Sequence, residues 1–132
     1  MIHYVTIGAR DLAEGQAFYD AVLATVGWKR ITTHAGAIGY GREGDRDPYG
    51  QTIWVCLPFD EAPAQAGNGI MLAMKAQDDA EVDAFYNAAL AHGGADEGPP
   101  GPRPNYGPDW YAAYMRDPTG NKIAIVRNQP LT

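Results

Sequence analysis

The sequence predicts an α+β fold: two tandem βαβββ modules forming a curled eight-stranded mixed sheet around a cleft, with the helices outside. Three observations predict it. Sliding the chain 67 residues along itself lays residues 4–27 on residues 71–94, and 11 of those 24 positions are identical, among them Phe18/Phe85, Tyr19/Tyr86 and Gly27/Gly94. A second echo sets Asp47-Pro48-Tyr49-Gly50-Gln51-Thr52-Ile53-Trp54 against Asp117-Pro118-Thr119-Gly120-Asn121-Lys122-Ile123-Ala124. Both copies then run through strand-like and helix-like stretches in the same order. Two copies of one supersecondary unit, neither large enough to bury its own apolar face, must pair, and the pairing creates a cleft at their pseudo-twofold axis.

Residues 2–8 are β-branched and aromatic and read as the first strand. Asp11 stands three residues before Glu14, a variant of the capping box, so a helix is expected over 12–26 with Gly27 as its left-handed stop. Within it Phe18, Ala21, Val22 and Thr25 trace one apolar face. Strands follow at about 28–33, 37–41 and 51–57, the last after the turn residues Asp47-Pro48-Tyr49-Gly50. Residues 58–68 carry Pro, Gly and Ala without periodicity and read as the linker between module 1 (residues 1–57) and module 2 (residues 69–128). The second copy offers a strand at about 69–75 and a helix from Asp78, capped with Glu81, to about His92. A Gly93-Gly94 stop and a strand start near 95–97 follow, then strands at about 110–116 and 122–127. Between the last two pieces and that strand start, residues 98–109 include Pro99, Pro100, Pro102, Pro104 and Pro108. So many prolines make a poor ladder member, and an irregular flap over the sheet is expected there.

With 132 residues, 45% of them apolar and 20% charged, the chain is one globular domain with a real core. A net charge of −6 without clustered Lys or Arg argues against nucleic acid or an anionic membrane as a partner. No apolar run reaches the roughly 20 residues of a membrane span, and a strand beginning at once would leave no room for a signal peptide. A single cysteine, Cys56, excludes an internal disulfide and fits a reducing compartment, so a cytoplasmic location is expected.

Strand alternation assigns faces. In the last strand Ile123 and Ile125 form the greasy row a covering helix needs, leaving Lys122, Ala124 and Val126 toward the hollow. By the echo, Ile53 and Val55 face the helix, and Thr52, Trp54 and Cys56 face the hollow. Val5, Ile7, Ile70, Leu72 and Met74 fall on the helix side, and Tyr4, Thr6, Met71 and Ala73 on the cleft side. Tyr4, Met71, Trp54 and Ala124 are thereby expected nearest the pseudo-axis. Tyr111 and Tyr114 stand three residues apart, so alternation sends only one of them to the hollow.

This duplicated βαβββ pattern resembles the vicinal oxygen chelate superfamily: glyoxalase I, bleomycin-resistance proteins and extradiol dioxygenases. The resemblance is carried by Met1-Ile2-His3-Tyr4-Val5-Thr6-Ile7-Gly8, by Ala17-Phe18-Tyr19 with Ala84-Phe85-Tyr86, by Ala112-Ala113-Tyr114 and by Asp117-Pro118-Thr119-Gly120-Asn121-Lys122-Ile123. It covers essentially the whole chain and implies a scaffold that hosts lyases, isomerases, dioxygenases and non-catalytic binders. It also implies where metal-dependent members place ligands: a His where this chain has Tyr4, another where it has Met71, a Glu where it has Ala124. Trp54 matches the remaining ligand strand by the internal repeat. A divalent ion wants imidazole nitrogen and carboxylate oxygen, which a phenol, a thioether, an indole and a methyl do not supply. No metal and no cofactor are expected.

The expected site is therefore an apolar, aromatic cleft for a small molecule, lined by Tyr4, Thr6, Trp54, Cys56, Met71, Ala73, Arg103, Tyr106, Tyr111, Tyr114 and Ala124. Arg103 in the flap could hold a ligand carboxylate or phosphate, or pair with a surface acid. His3 falls on the face opposite Tyr4, and His92 reads as a helix C-terminal cation. His34 follows the second strand and could approach the cleft rim, but with no Ser, Cys or Asp beside it reads as an ordinary loop residue. Cys56 has no base or cation beside it and reads as an inert thiol. Two functions follow. One is a metal-free binder of a planar or amphipathic molecule. The other is an enzyme of the same superfamily, a lyase, an isomerase or an oxidoreductase, that works without metal, with Tyr4 as the weak candidate acid or base. A blander third is a dimerising module whose hollow Trp54 fills. The resemblance also implies a homodimer, sometimes with modules exchanged between chains.

Overall fold

The computed structural model describes residues 1–45 and 50–129; the turn at Asp47, Pro48 and Tyr49 lies outside the described residues. Module 1 runs β1 (Tyr4–Gly8), α1 (Leu12–Ala24), β2 (Trp28–His34), β3 (Ala37–Arg42) and β4 (Thr52–Cys56). Module 2 repeats the order with β5 (Leu72–Lys75), α2 (Asp79–Ala91), β6 (Ala95–Pro102), β7 (Tyr111–Arg116) and β8 (Lys122–Arg127). The eight strands divide into two four-stranded mixed sheets, sheet A ordered β1-β4-β3-β2 and sheet B ordered β5-β8-β7-β6, and no closed barrel forms. The repeat extends to strand register. Val5 lies opposite Ile53 in parallel β1 and β4, and their equivalents Leu72 and Ile123 lie opposite each other in β5 and β8.

Helix ends follow from named side chains. Asp11 Oδ1 accepts the Glu14 N–H at 3.0 Å and Asp78 Oδ1 accepts the Glu81 N–H at 2.8 Å, caps that stabilise by about 1 kcal/mol each. Glu81 reaches back one residue past the cap, to the Gln77 N–H. The first helix stops at Ala24 rather than Val26. There Thr25, Val26 and Gly27 switch to bonds three residues back, and the Thr25 hydroxyl donates to the Val22 carbonyl at 2.6 Å, the tightened last turn typical of a helix end. The second stop divides its labour: Gly93 takes the left-handed turn (φ 94°). Gly94 provides space, since a Cβ there would stand 2.7 Å from the Ala89 carbonyl and 2.8 Å from that of Arg116.

Two expectations need correction. The Pro-rich run is strand as far as Pro102, because β6 is an edge strand that pairs only with β7. Register breaks between Asp96 and Gly98 and between Gly98 and Gly101 leave Pro99 and Pro100 outside the paired positions, the place where missing N–H donors cost least. Only residues 103–109 form a loop. Ile70, expected on the helix side, precedes β5 and is exposed. The stripe that α1 buries is also wider than expected. Gly15, Tyr19 and Leu23 join Phe18 and Val22, whereas Ala21 and Thr25 are only half-buried.

One core serves both modules. Phe18, Tyr19, Val22 and Leu23 of α1 meet Val82, Phe85 and Ala89 of α2, and with them pack Ile7, Ile53 and Val55 of sheet A and Ala113, Met115, Ile123 and Ile125 of sheet B. Helix α1 packs on α2, and among the described residues no strand of one sheet packs extensively on a strand of the other. The helix-facing sides of both sheets thus converge, as alternation predicted for Val5, Ile7, Ile53, Val55, Leu72, Met74, Ile123 and Ile125. Their opposite faces point away from this core.

A buried carboxylate pins the modules together. Asp117 Oδ1 accepts the N–H groups of Thr119, Gly120 and Asn121, each at 3.0 Å. Its Oδ2 accepts the Tyr19 hydroxyl at 2.6 Å and the Asn121 amide at 2.9 Å. The same amide nitrogen donates to the Gly8 carbonyl, and Arg10 donates to the Thr119 hydroxyl and carbonyl. The β7–β8 turn of module 2 is therefore clamped onto the β1–α1 loop of module 1.

Replacing Asp117 with Ala strands several donors in the interior and should cost about 3 kcal/mol or more, and Tyr19→Phe about 1–3 kcal/mol, read from urea unfolding. Burial first, then the Asp117 charge, raises the Tyr19 hydroxyl well above its ordinary range. Burial and Asp20 do the same to Tyr40. Both phenols are neutral in the fold, so stability should hold up to about pH 10, where unfolded tyrosines ionise, and fall above it. Tyr19→Phe should make that alkaline loss shallower; an unchanged slope would show that Tyr19 does not govern it.

Candidate functional site

Most of the expected cleft residues fall into two groups, one on or beside the face of each sheet that is turned away from the shared core. On sheet A, β1 and β4 set Thr6 beside Trp54 and Gly8 beside Cys56, with Tyr4 one step along the same face beside Thr52. Trp54 lies across Gly39 of β3, where a Cβ would stand 2.8 Å from the indole ring; only glycine lets the ring settle flat on the strand. His34 stacks on that indole, 6.0 Å between centroids and 26° between planes, and its Nε2 lies 3.4 Å from the Thr32 hydroxyl. Sheet A thus presents a Trp–His aromatic platform beside a row of small residues.

Linker residues fold back over one end of this face. Ala64 is buried, and the position of a Gly8 Cβ would lie 3.1 Å from its methyl. Between linker and sheet opens a groove of about 670 Å³, its lining including Thr6, Cys56, Leu57 and Phe59. Burial raises the Cys56 thiol above its ordinary pKa, which keeps it protonated and unreactive at neutral pH.

On sheet B the register sets Ala73 beside Ala124 and Ala124 beside Tyr114. Ala112, Ala124 and Val126 form a small separate cluster packed by Trp110 and Tyr114. The Trp110 indole N–H donates to the Tyr114 hydroxyl at 3.3 Å, and exposed Tyr106 leans on Trp110 at 5.7 Å. Two cations stand over the Tyr114 ring, Arg103 at 5.5 Å and Lys122 at 5.8 Å from its centroid. Tyr111 points the other way. Its hydroxyl donates to Asp83 of α2 at 2.9 Å, and burial with that carboxylate raises its pKa. Of the two tyrosines, Tyr114 takes the open face.

Among the described residues, Tyr4 and Trp54 stand on sheet A, and Met71 and Ala124 stand beside or on sheet B. The sheet B cluster contains no residue of sheet A, and the groove contains none of sheet B. Tyr4 remains 57% exposed and Met71 42%. Among the described residues no three His, Cys, Asp or Glu side chains stand close enough to hold a metal ion. The donors at Tyr4, Trp54, Met71 and Ala124 do not fit one either, being a phenol, an indole, a thioether and a methyl.

Sequence reasoning missed three contributors. His34 read as a loop residue, but β2 carries a bulge between Arg30 and Thr32 that turns Thr32 and His34 onto the Trp54 face. Trp110 directly precedes β7 and bonds Tyr114 four residues further along the same segment, a contact that no periodicity announces. Lys122 was placed toward the hollow by alternation alone, without a role.

Comparisons with known proteins agree with this architecture. A family model described as the Glyoxalase/Bleomycin resistance protein/Dioxygenase superfamily matches residues 1–125. Among solved structures, a glyoxalase/bleomycin resistance protein from Albidiferax ferrireducens T118 is 35% identical, with 98% of each chain covered and a TM-score of 0.85. A glyoxalase-related enzyme from Fulvimarina pelagi (21% identity, 97% of this chain and 88% of that one, TM-score 0.76) shares the fold. So does a lactoylglutathione lyase from Agrobacterium tumefaciens (23% identity, 96% and 92%, TM-score 0.65). No curated protein matches the chain. Two βαβββ modules, their common register and the match over residues 1–125 together make the chain a member of the glyoxalase/bleomycin resistance protein/dioxygenase superfamily.

Proposed function

We propose that this superfamily member binds a small aromatic or amphipathic molecule without a metal, in a cleft that two copies of the chain build together. The observation that carries the reading is the chemistry at Tyr4, Trp54, Met71 and Ala124, where metal-dependent relatives are expected to place nitrogen and oxygen ligands. Rings and alkyl groups there favour burial and stacking over coordination. Trp54, spread across Gly39 and stacked by His34, offers the flat surface such a ligand needs.

A second copy supplies what one chain leaves open. Ile2, Tyr4, Leu57, Phe59, Ile70 and Met71 are all large, apolar and exposed, side chains that a partner's surface would bury. A twofold dimer that sets sheet A of one chain against sheet B of the other would cover both faces and create two equivalent clefts. Among the described residues no helix is long and apolar enough to cross a membrane. A single half-buried thiol suits a reducing compartment, which is consistent with the cytoplasm.

Light scattering should therefore give twice the 14.2 kDa chain mass; a monomer at micromolar concentration would contradict the shared cleft. In a thermal-shift screen, aromatic compounds should raise the melting temperature equally with and without EDTA. Trp54→Ala should weaken them by about tenfold, the worth of one stacking surface. Stabilisation that EDTA abolishes would overturn the metal-free reading. Turnover that survives EDTA would favour an enzyme using Tyr4.

A further inference from the structure

The linker stands off sheet A instead of collapsing onto it. Its far end is anchored by Ala64, which is buried with its methyl 3.1 Å from where a Gly8 Cβ would stand. The near end is a tied turn. The Pro58 carbonyl accepts the Glu61 N–H at 3.0 Å, and Asp60 Oδ1 accepts the Ala62 N–H at 3.0 Å. Glu61 closes this turn at φ 64°, alone among the described non-glycine residues in having a positive φ. Glutamate is strained in that conformation, and backbone strain of this kind gathers at ligand clamps.

Between anchor and turn the groove stays open, and its volume of about 670 Å³ is that of a small-molecule site. Its walls can be reached from water. Thr6 and Leu57 are exposed, Ala37 and Cys56 are half-buried, and Phe59 stands fully in solvent at the rim. A loose linker would fold Leu57 and Phe59 inward and close the gap, since apolar surface leaves water wherever it can. The bonds at Pro58 and Asp60 hold the turn away, so that surface is covered only when something enters. Charge narrows what can enter. Asp60 is the one charged side chain of the lining, and among the described residues no Lys, Arg or His joins it. An anion would meet carbon and a carboxylate, with no counter-charge to offset its lost hydration.

We propose that this groove is a binding site, present in a single chain, for an uncharged apolar molecule held between the linker and sheet A. It continues the Trp54 face. Thr6 lies beside Trp54 and Gly8 beside Cys56, two residues or about 7 Å further along the strands. The proposal rests on the small-molecule reading of that face, not on the partner chain, and names the ligand class that its open end selects. Apolar burial against Ala37, Cys56 and Leu57 supplies the affinity. The preformed turn spares the ligand the cost of ordering a loop.

The test is a fluorescence titration with N-phenyl-1-naphthylamine and with 8-anilinonaphthalene-1-sulfonate, the same rings carrying one negative charge. The neutral probe should bind about tenfold tighter than the sulfonate. At saturation it should also slow modification of Cys56, the single thiol of the chain, by 4,4′-dithiodipyridine about tenfold at about pH 9, where thiolate forms. Glu61→Gly keeps the left-handed turn and should bind the neutral probe as the wild type does. Glu61→Val cannot hold that turn and should weaken the probe about tenfold, with circular dichroism unchanged. Equal binding of the two probes, or tighter binding of the sulfonate, would overturn the assignment to an uncharged ligand. Binding that Trp54→Ala weakens but that leaves Cys56 fully reactive would overturn the groove and leave the cleft reading standing. Shielding of Cys56 in a chain that light scattering finds monomeric would uphold the groove and overturn the shared cleft. Absence of binding by the neutral probe would overturn the groove.

Discussion

The carboxylate of Asp117 is the constraint on which the rest depends. It sits inside the molecule with five donors around it, three from its own turn and two from side chains. One of those side chains belongs to α1, so the turn cannot form fully unless the first module is in place. Hydrogen bonds to a charged acceptor are strong only when every lone pair is used and the surroundings are dry, and both conditions hold here. Loss of any one partner leaves a charged group short of donors where water cannot reach it. The clamp therefore favours a single relative placement of two halves that also meet through the apolar core around α1 and α2.

That placement decides where chemistry can happen. Because the helix-facing sides of both sheets converge on one core, the faces bearing Tyr4, Trp54, Tyr114 and Lys122 are turned outward. A chain folded this way carries two faces of different character. Sheet A offers an indole lying on glycine with an imidazole stacked on it; sheet B offers a small-residue floor with cations around a phenol ring.

Much of this was legible in the residues themselves. The internal repeat exposed the modules, Asp11 and Asp78 marked the helix starts, and the alternating isoleucines at 53, 123 and 125 settled which side of each strand meets a helix. What stayed hidden has physical causes. An internal repeat says that two units pair, but the same apolar rows allow pairing through either face, so the outward turn of the open faces could not be read. The run containing Pro99 and Pro100 looked unfit for a ladder because edge pairing with register breaks leaves no mark in the sequence. His34 was hidden because the strand was expected to end at 33, and the Arg30–Thr32 bulge that turns it onto the Trp54 face leaves no mark in the sequence. Arg103 was expected to hold a ligand anion or a surface acid; its commitment to three carbonyls depends on how the backbone curls at β6.

The central claim is that the cleft presents rings and carbon, not metal ligands, and that two chains complete it. A crystal structure of protein purified without chelators, with anomalous scattering recorded at the transition-metal edges, tests this most directly. The account predicts a dimer in which sheet A of one chain faces sheet B of its partner, with no anomalous density near Tyr4, Trp54, Met71 or Ala124. An ion held there by imidazole or carboxylate groups, or an enclosed cleft within a single chain, would contradict it.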